Sequence, residues 1–278
     1  MAEQTKEQGQ LHSPSSILQQ IPNGESQASP CDMLTLQRRI AELHNKSVGS
    51  LTGYDCPECL NRGNFMEIDD DGSRHFRDCK CMVIRQNKER IARSGLADLM
   101  ERYTFDAWQT PEPWQQRILE AAKSFVENPE GWFVVTGKVG CGKTHICTAI
   151  CGELMQRGMN TRYMLWREAI GRLKAAVNDA VEYDRLISPL MTVPVLYIDD
   201  LFKTGKGQAP TSADFNVAFE LINHRYIKRD LVTLISSELD IGQIMEYDEA
   251  VGSRIYECAK RSRCYFDLGD KANWRLRQ

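Results

Sequence analysis

The hydrophobic positions of this chain change rhythm near residue 130. Before it, apolar residues recur at helical spacing, as in 113–126, where Ile118, Ala121, Ala122, Phe125 and Val126 share one face. After it, short unbroken apolar runs alternate with amphipathic stretches. The runs predict strands near 132–136, 161–166, 194–198, 231–236 and 263–268, and the stretches predict helices near 143–157, 167–178, 182–191, 213–228 and 241–259. A run such as Trp132-Phe133-Val134-Val135 leaves no face for solvent, so it belongs inside a sheet covered on both sides. Alternation of strand and helix makes that sheet parallel and the fold α/β.

The amino-terminal third is patterned differently. Residues 1–30 are rich in Gln and Ser, carry Pro14, Pro22 and Pro30 and have little to bury, which predicts a disordered tail. From Asp32, a residue suited to an N-cap, Met33, Leu34, Leu36, Ile40 and Leu43 follow helical spacing. So short a stripe makes no core alone; it packs on the segment that follows or docks on a partner. A charged helical stretch at 83–93 and the sequence Ser94-Gly95-Leu96 mark a junction. The expected organisation is a tail (1–30), an amino-terminal module (31–93) and an α/β domain (94–278).

Composition narrows the class. A net charge of −3 gives no global basic field, so any nucleic-acid surface is local. No apolar run approaches the roughly 18 residues of a membrane span, and the first residues lack a basic region leading into an apolar core. A cytoplasmic protein without membrane association is expected.

The strand at 132–136 runs into Gly137-Lys138-Val139-Gly140-Cys141-Gly142-Lys143-Thr144, which fills the pattern G-x-x-x-x-G-K-[ST]. The glycines let successive N–H groups turn inward on phosphate oxygens, and the helix opening at the loop's end adds the positive end of its dipole. Lys143 then serves the β- and γ-phosphates of ATP, and Thr144 its Mg²⁺. Mg²⁺ keeps several waters and needs a carboxylate to hold them. Val195-Leu196-Tyr197-Ile198-Asp199-Asp200 brings two to the carboxyl end of a strand, where parallel sheets bind ligands. Asp199 is assigned to the metal and Asp200 to orienting the attacking water. Asp is shorter than Glu, so slow turnover is expected.

The chain has ten cysteines. Cys56-Pro57-Glu58-Cys59 and Cys79-Lys80-Cys81 flank a hairpin-sized insert, which would bring two close thiolate pairs together around a tetrahedral Zn²⁺. The second pair has one spacer residue where two are commoner. A disulfide pairing is disfavoured in a reducing compartment. Cys141, Cys147, Cys151, Cys258 and Cys264 read as small core residues.

Together, the two cysteine pairs, Ser94-Gly95-Leu96, Tyr103-Thr104-Phe105, the phosphate loop, Ile198-Asp199-Asp200-Leu201, Ser236-Ser237 and Gly252-Ser253-Arg254 resemble, in order, bacterial and phage replicative helicase loaders of the DnaC/DnaI type. Those are AAA+ P-loop NTPases, similar in the nucleotide domain to IstB-type transposition ATPases. The resemblance covers about residues 50–278 and implies an AAA+ parallel sheet with helices on both faces, preceded by a zinc ribbon. The short stretch after the last strand fits lidless loaders, without a carboxyl-terminal helical lid. It implies that Arg254 reaches across a subunit interface to the neighbour's γ-phosphate, within a homo-oligomer formed with ATP. It further implies a sensing hydroxyl at Ser237, with Ser236 in reserve, Arg275 near nucleotide or DNA, and Tyr103 and Phe105 near the base. Single-stranded DNA contacts are expected from Lys203, Lys206, Arg225, Lys228 and Arg229, with Phe202 and Tyr226 interleaved. The implied function is ATP-dependent loading of the replicative DNA helicase. Alternatives are a transposition ATPase that directs a transposase and a nucleotide-switched adaptor that scarcely hydrolyses ATP.

Overall fold

The structure is a computed structural model and describes residues 30–94, 96–205, 208–269 and 271. Residues 1–29 of the expected tail, Gly95, Lys206 and Arg275 lie outside the described residues, and Pro30 opens the first helix. The chain divides into two compact units. One takes residues up to 47 together with Phe65–Arg77; the other takes Val48–Asn64 and everything from Asp78.

The first unit consists of helix α1 (Pro30–Lys46) and the hairpin β1 (Asn64–Ile68) with β2 (Arg74–Asp78). The helix starts two residues before the expected Asp32. Asn45 docks the helix on the hairpin as an extra strand would: its Nδ2 donates to Met66 O (3.0 Å) and its Oδ1 accepts from Met66 N–H (2.8 Å). Ala41 and Met66 are buried here, whereas Met33, Leu36, Ile40 and Leu43 remain exposed.

The second unit carries the large sheet. Its elements are α2 (Lys80–Ser94), α3 (Ala97–Arg102), α4 (Pro113–Glu127), β3 (Trp132–Thr136), α5 (Lys143–Gln156), β4 (Thr161–Leu165), α6 (Trp166–Ala176), α7 (Ala180–Thr192), β5 (Val195–Leu201), α8 (Ser212–Ile227), β6 (Val232–Ser237), α9 (Ile241–Tyr247), α10 (Glu249–Arg261) and β7 (Tyr265–Asp267). The strands are parallel in the order β4-β5-β6-β3-β7. Successive side chains on a strand face opposite ways, and both faces here are apolar. Trp132, Val134, Leu196 and Ile198 pack into a core under α6 to α10. Phe133, Val135, Val195 and Tyr197 pack into another under α4 and α5.

Two details depart from the sequence pattern. The helix expected over 241–259 is two helices, because Asp248 adopts an extended conformation and its carboxylate accepts the Val251 N–H, starting α10 afresh. And α2, assigned above to an amino-terminal module ending at residue 93, belongs to the sheet-bearing unit. Asn87, fully buried, donates to Met159 O (2.7 Å) and accepts from Thr161 N–H (3.1 Å), closing the start of edge strand β4.

Candidate active site

Strand β6 lies between β3 and β5, so the phosphate loop and the acidic strand end sit two strands apart with the end of β6 between them. Helix α5 opens at Gly142, whose φ of 99° no side chain would tolerate well, and it has no side-chain cap. Its first N–H groups therefore face an incoming anion. The Trp108 ring lies against Gly142: a β-carbon there would stand 2.8 Å from it.

The charged groups of the pocket are paired internally. Lys143 is buried and its Nζ donates to the carbonyls of Gly137 (2.7 Å) and Lys138 (2.9 Å). Thr144 Oγ1 lies 3.3 Å from Asp199 Oδ1. Asp199 also accepts from Tyr197 OH (2.7 Å), Ser236 Oγ (2.5 Å) and Tyr163 OH (3.0 Å). Burial and the charge of Asp199 push both tyrosine pKa values up, which keeps the phenols as donors. Thr144 and Asp199 are thus brought together where a phosphate-bound Mg²⁺ would need them, and the metal would neutralise charge on the phosphates.

Asp200 points into the same pocket with φ +55°, and Lys203 Nζ bridges its Oδ2 (2.9 Å) and Glu238 Oε1 (2.7 Å). Burial opposes the lysine's charge, but the two carboxylates more than restore it and raise its pKa. The pocket, about 230 Å³, is also lined by Val139, Gly140, Tyr103 and His145. Tyr103 stacks on His145 at 4.8 Å, and Trp108 meets that imidazole edge-on at 5.1 Å. The ring accordingly walls the pocket beside a second cavity, lined by Trp108, Gln109, Gln115 and Cys141.

The IstB-like ATP binding protein family matches over residues 75–255. The chain belongs to this family. Phage-like element PBSX protein XkdC of Bacillus subtilis (strain 168) is 30% identical over 238 residues, covering 81% of this chain and 87% of that protein. The replicative helicase loader DnaC of Escherichia coli (strain K12) is 29% identical over 113 residues, 39% of this chain and 46% of that protein, so the chain spans about half of that relative's length. The crystal structure of DnaI aligns over 62% of this chain and 93% of that one at 22% identity, with a TM-score of 0.49. The resemblance to DnaC/DnaI-type loaders read from the motifs is supported by relatives named DnaC, and the expected parallel sheet with helices on both faces is present.

Within this IstB-like domain the remaining expected residues fall in different places. Ser237 is fully buried and donates to Leu201 O (2.9 Å) while accepting Leu239 N–H (3.1 Å), a structural role. Ser236 is the hydroxyl that touches both acids, through Asp199 Oδ1 and the Asp200 N–H. Arg254 lies on α10 against α8, its Nε donating to Asn223 Oδ1 (3.0 Å) and its guanidinium 5.1 Å and 5.5 Å from the Phe219 and Tyr226 ring centres. It does not line the pocket of its own chain.

The expected DNA contact at Arg225 is corrected by the structure. This side chain is 0% exposed. It donates to the carbonyls of Leu190, Met191, Val193 and Val232 and to Thr233 Oγ1, at 2.6–3.1 Å. The carbonyls at the end of α7 have no helical partner, and a cation suits that end of the dipole. Lys203 is likewise committed to the pocket, whereas Arg229 is exposed.

Cys56, Cys59, Cys79 and Cys81 converge as the spacing requires. All four are buried, and one sulfur from each lies within 4.8 Å of the others. Cys56 Sγ is 3.8 Å from Cys79 Sγ, and Cys59 Sγ is 3.5 Å from Cys81 Sγ. A zinc ion with Zn–S distances of about 2.3 Å has a tetrahedral sulfur–sulfur edge of about 3.8 Å, so the cluster fits that metal. Leu60 and Asn61, both at positive φ, turn the chain back after Cys59 so that Gly63 N–H donates to its sulfur (3.2 Å). Burial pushes the Cys79 thiol up to about 12 and raises Cys81 as well. Cys59 is opposed by burial too, but the Gly63 N–H and neighbouring thiols bring it to about 7.

The sequence reading missed Tyr163, Tyr197 and Glu238. Tyr197 was within reach, standing two positions before Asp199 on the same strand face. Tyr163 required knowing that β4 lies beside β5, where it pairs with Tyr197.

Proposed function

We propose that this protein is an ATPase that loads a replicative DNA helicase, with ATP held between protomers and turned over slowly. The observation that carries the ATP site is the contact of Thr144 with Asp199 beneath an uncapped α5, with Asp200 in the same pocket. In this reading Lys143 binds the phosphates, Thr144 and Asp199 hold Mg²⁺, Asp200 orients water and Ser236 fixes the two acids. Arg254 serves the neighbouring protomer: a guanidinium stabilises charge on a transferring phosphoryl group, and this one does not line its own pocket. The helicase-loading role is supported by relatives named as loaders and by the cysteine cluster, which we assign to structural Zn²⁺. Single-stranded DNA would be held by the exposed Arg229 and other basic loop residues rather than by Arg225.

Turnover and nucleotide uptake of wild type, Lys143→Ala and Arg254→Ala test the reading. Both variants lose turnover, and only Lys143→Ala loses nucleotide binding. Full rate for Arg254→Ala at high protein concentration would refute a shared site. The family match itself favours a second reading, an ATPase that directs a transposase. Co-purification of the full chain with a hexameric helicase or with a transposase separates the two.

A further inference from the structure

The pocket contains a cation that the phosphate loop does not account for. Lys203 Nζ sits between Asp200 (2.9 Å) and Glu238 (2.7 Å), and all three residues line the cavity that Lys143 and Thr144 line. The backbone is bent to put it there. Asp200 and Phe202 have φ of +55° and +64°, the pairing of β5 with β6 slips between Ile198 and Leu201, and Lys203 N–H donates to Asp200 O (2.9 Å). Left-handed backbone is strained for a non-glycine residue and persists only where its surroundings enforce it, so the loop is held in this shape. The Asp200 N–H to Ser236 Oγ bond (2.9 Å) is one of the enforcing contacts.

We propose that Lys203 is the residue by which this domain distinguishes a nucleoside triphosphate from a diphosphate: it exchanges the Asp200 carboxylate for the γ-phosphate. The inference rests on the ATPase reading and adds to it. With two phosphates or none, the ammonium pairs with both Asp200 and Glu238. A third phosphate brings anionic oxygens into competition for the same protons, and an ammonium has three, so Lys203 keeps Glu238 while changing its other partner. Asp200 is released only when the substrate's terminal phosphate is present. Lys203 is therefore a phosphate-binding residue and a positioning residue for Asp200, and Glu238 is its anchor.

Calorimetry on the full chain with Mg²⁺, using ADP and a non-hydrolysable ATP analogue, reads this directly. Wild type favours the triphosphate; Lys203→Met lowers the triphosphate-to-diphosphate affinity ratio by about tenfold, or 1.4 kcal/mol, while ADP binding changes little. Lys203→Arg keeps the preference, and Glu238→Gln, which leaves the ammonium but loosens it, gives an intermediate ratio. Lys203→Met that binds both nucleotides with the wild-type ratio overturns the role of Lys203 and leaves the ATPase reading standing. Wild type that takes up neither nucleotide overturns both. If Lys203→Met does not fold, Glu238→Gln decides: an unchanged ratio sinks the proposal.

Discussion

The phosphate pocket and the cysteine cluster both gather charged or ionisable groups, but they partner them in opposite ways. In the pocket every charge has a partner: Lys143 takes two loop carbonyls, Asp199 takes four hydroxyls, and Lys203 takes two carboxylates. In the cluster four buried sulfurs chiefly face one another, and burial drives two of the thiols toward the protonated state. A site that satisfies itself can wait for a ligand that comes and goes. Thiols that chiefly meet one another would be locked into the fold by the Zn²⁺ proposed for them.

Metal removal is the largest effect this contrast predicts. Structural zinc binding is folding free energy, on the order of 10 kcal/mol in apparent terms, so chelation should unfold 48–64 and the start of α2. Because Asn87 ties α2 to β4, the loss should spread to the edge of the sheet. Hydrogen exchange with and without chelator checks this; protection of 48–64 and α2 that survives complete removal of zinc breaks the comparison. Cys59→Ser should reproduce the chelated state.

Arg225 supplies the next effect. It is a buried charge satisfied by the protein alone, like those of the pocket but with no ligand to meet. Its removal takes the guanidinium donors from four carbonyls, and each buried acceptor left unsatisfied costs about 1–3 kcal/mol. Arg225→Ala should therefore lower the denaturation midpoint sharply while the folded fraction binds nucleotide normally. Arg254→Ala, over two aromatic rings at the surface of α8, should scarcely change stability. Denaturant unfolding of the two variants side by side reverses the argument if Arg254→Ala proves the more damaging.

These two arginines also show what a sequence exposes and what it hides. The phosphate loop and acidic strand end were legible because local order alone, strand to glycine loop to helix, dictates their chemistry. The cysteine spacing was legible for the same reason. Arg225 was misread as a surface cation because it was grouped with its basic neighbours, whereas Ala218, Leu221 and Ile222 precede it by seven, four and three residues and place it on the buried face of α8. The roles of Lys203 and Glu238 were hidden because their meeting depends on β6 lying beside β5 and on a bulge that no periodicity announces. The break at Asp248 was readable, an Asp before an acidic helix start, but the apolar period ran across it unbroken.

Within the pocket itself, Tyr197→Phe removes one of four donors to Asp199 and leaves Thr144, Tyr163 and Ser236 in place. Losing one such bond to a charged acceptor costs about 1.5 kcal/mol or more, and the space is filled without a cavity. Stability should fall by that amount, and the Mg²⁺ concentration needed for half-maximal nucleotide binding should rise. A loss as large as that of Arg225→Ala would mean that the self-satisfied character of the pocket hangs on this one phenol.

The smallest effect is a pH dependence at the pocket wall. Burial lowers the pKa of His145, opposed by its hydrogen bond to the Thr104 carbonyl (2.9 Å). The folded state therefore binds its proton less readily than the unfolded chain, whose histidine titrates near 6.5. The sign follows: as pH falls through that value the unfolded state takes up the proton first, so stability declines on acidification and levels off only below the folded-state pKa. His145→Gln, whose amide can still donate to Thr104, should remove this slope and leave those of other groups. The difference in unfolding free energy between wild type and variant, followed from pH 7.5 to 5, measures it; a difference that stays flat, or grows in favour of wild type as pH drops, means the imidazole is charged in the folded protein and the wall is not the neutral aromatic surface that its stacking on Tyr103 and edge contact with Trp108 describe.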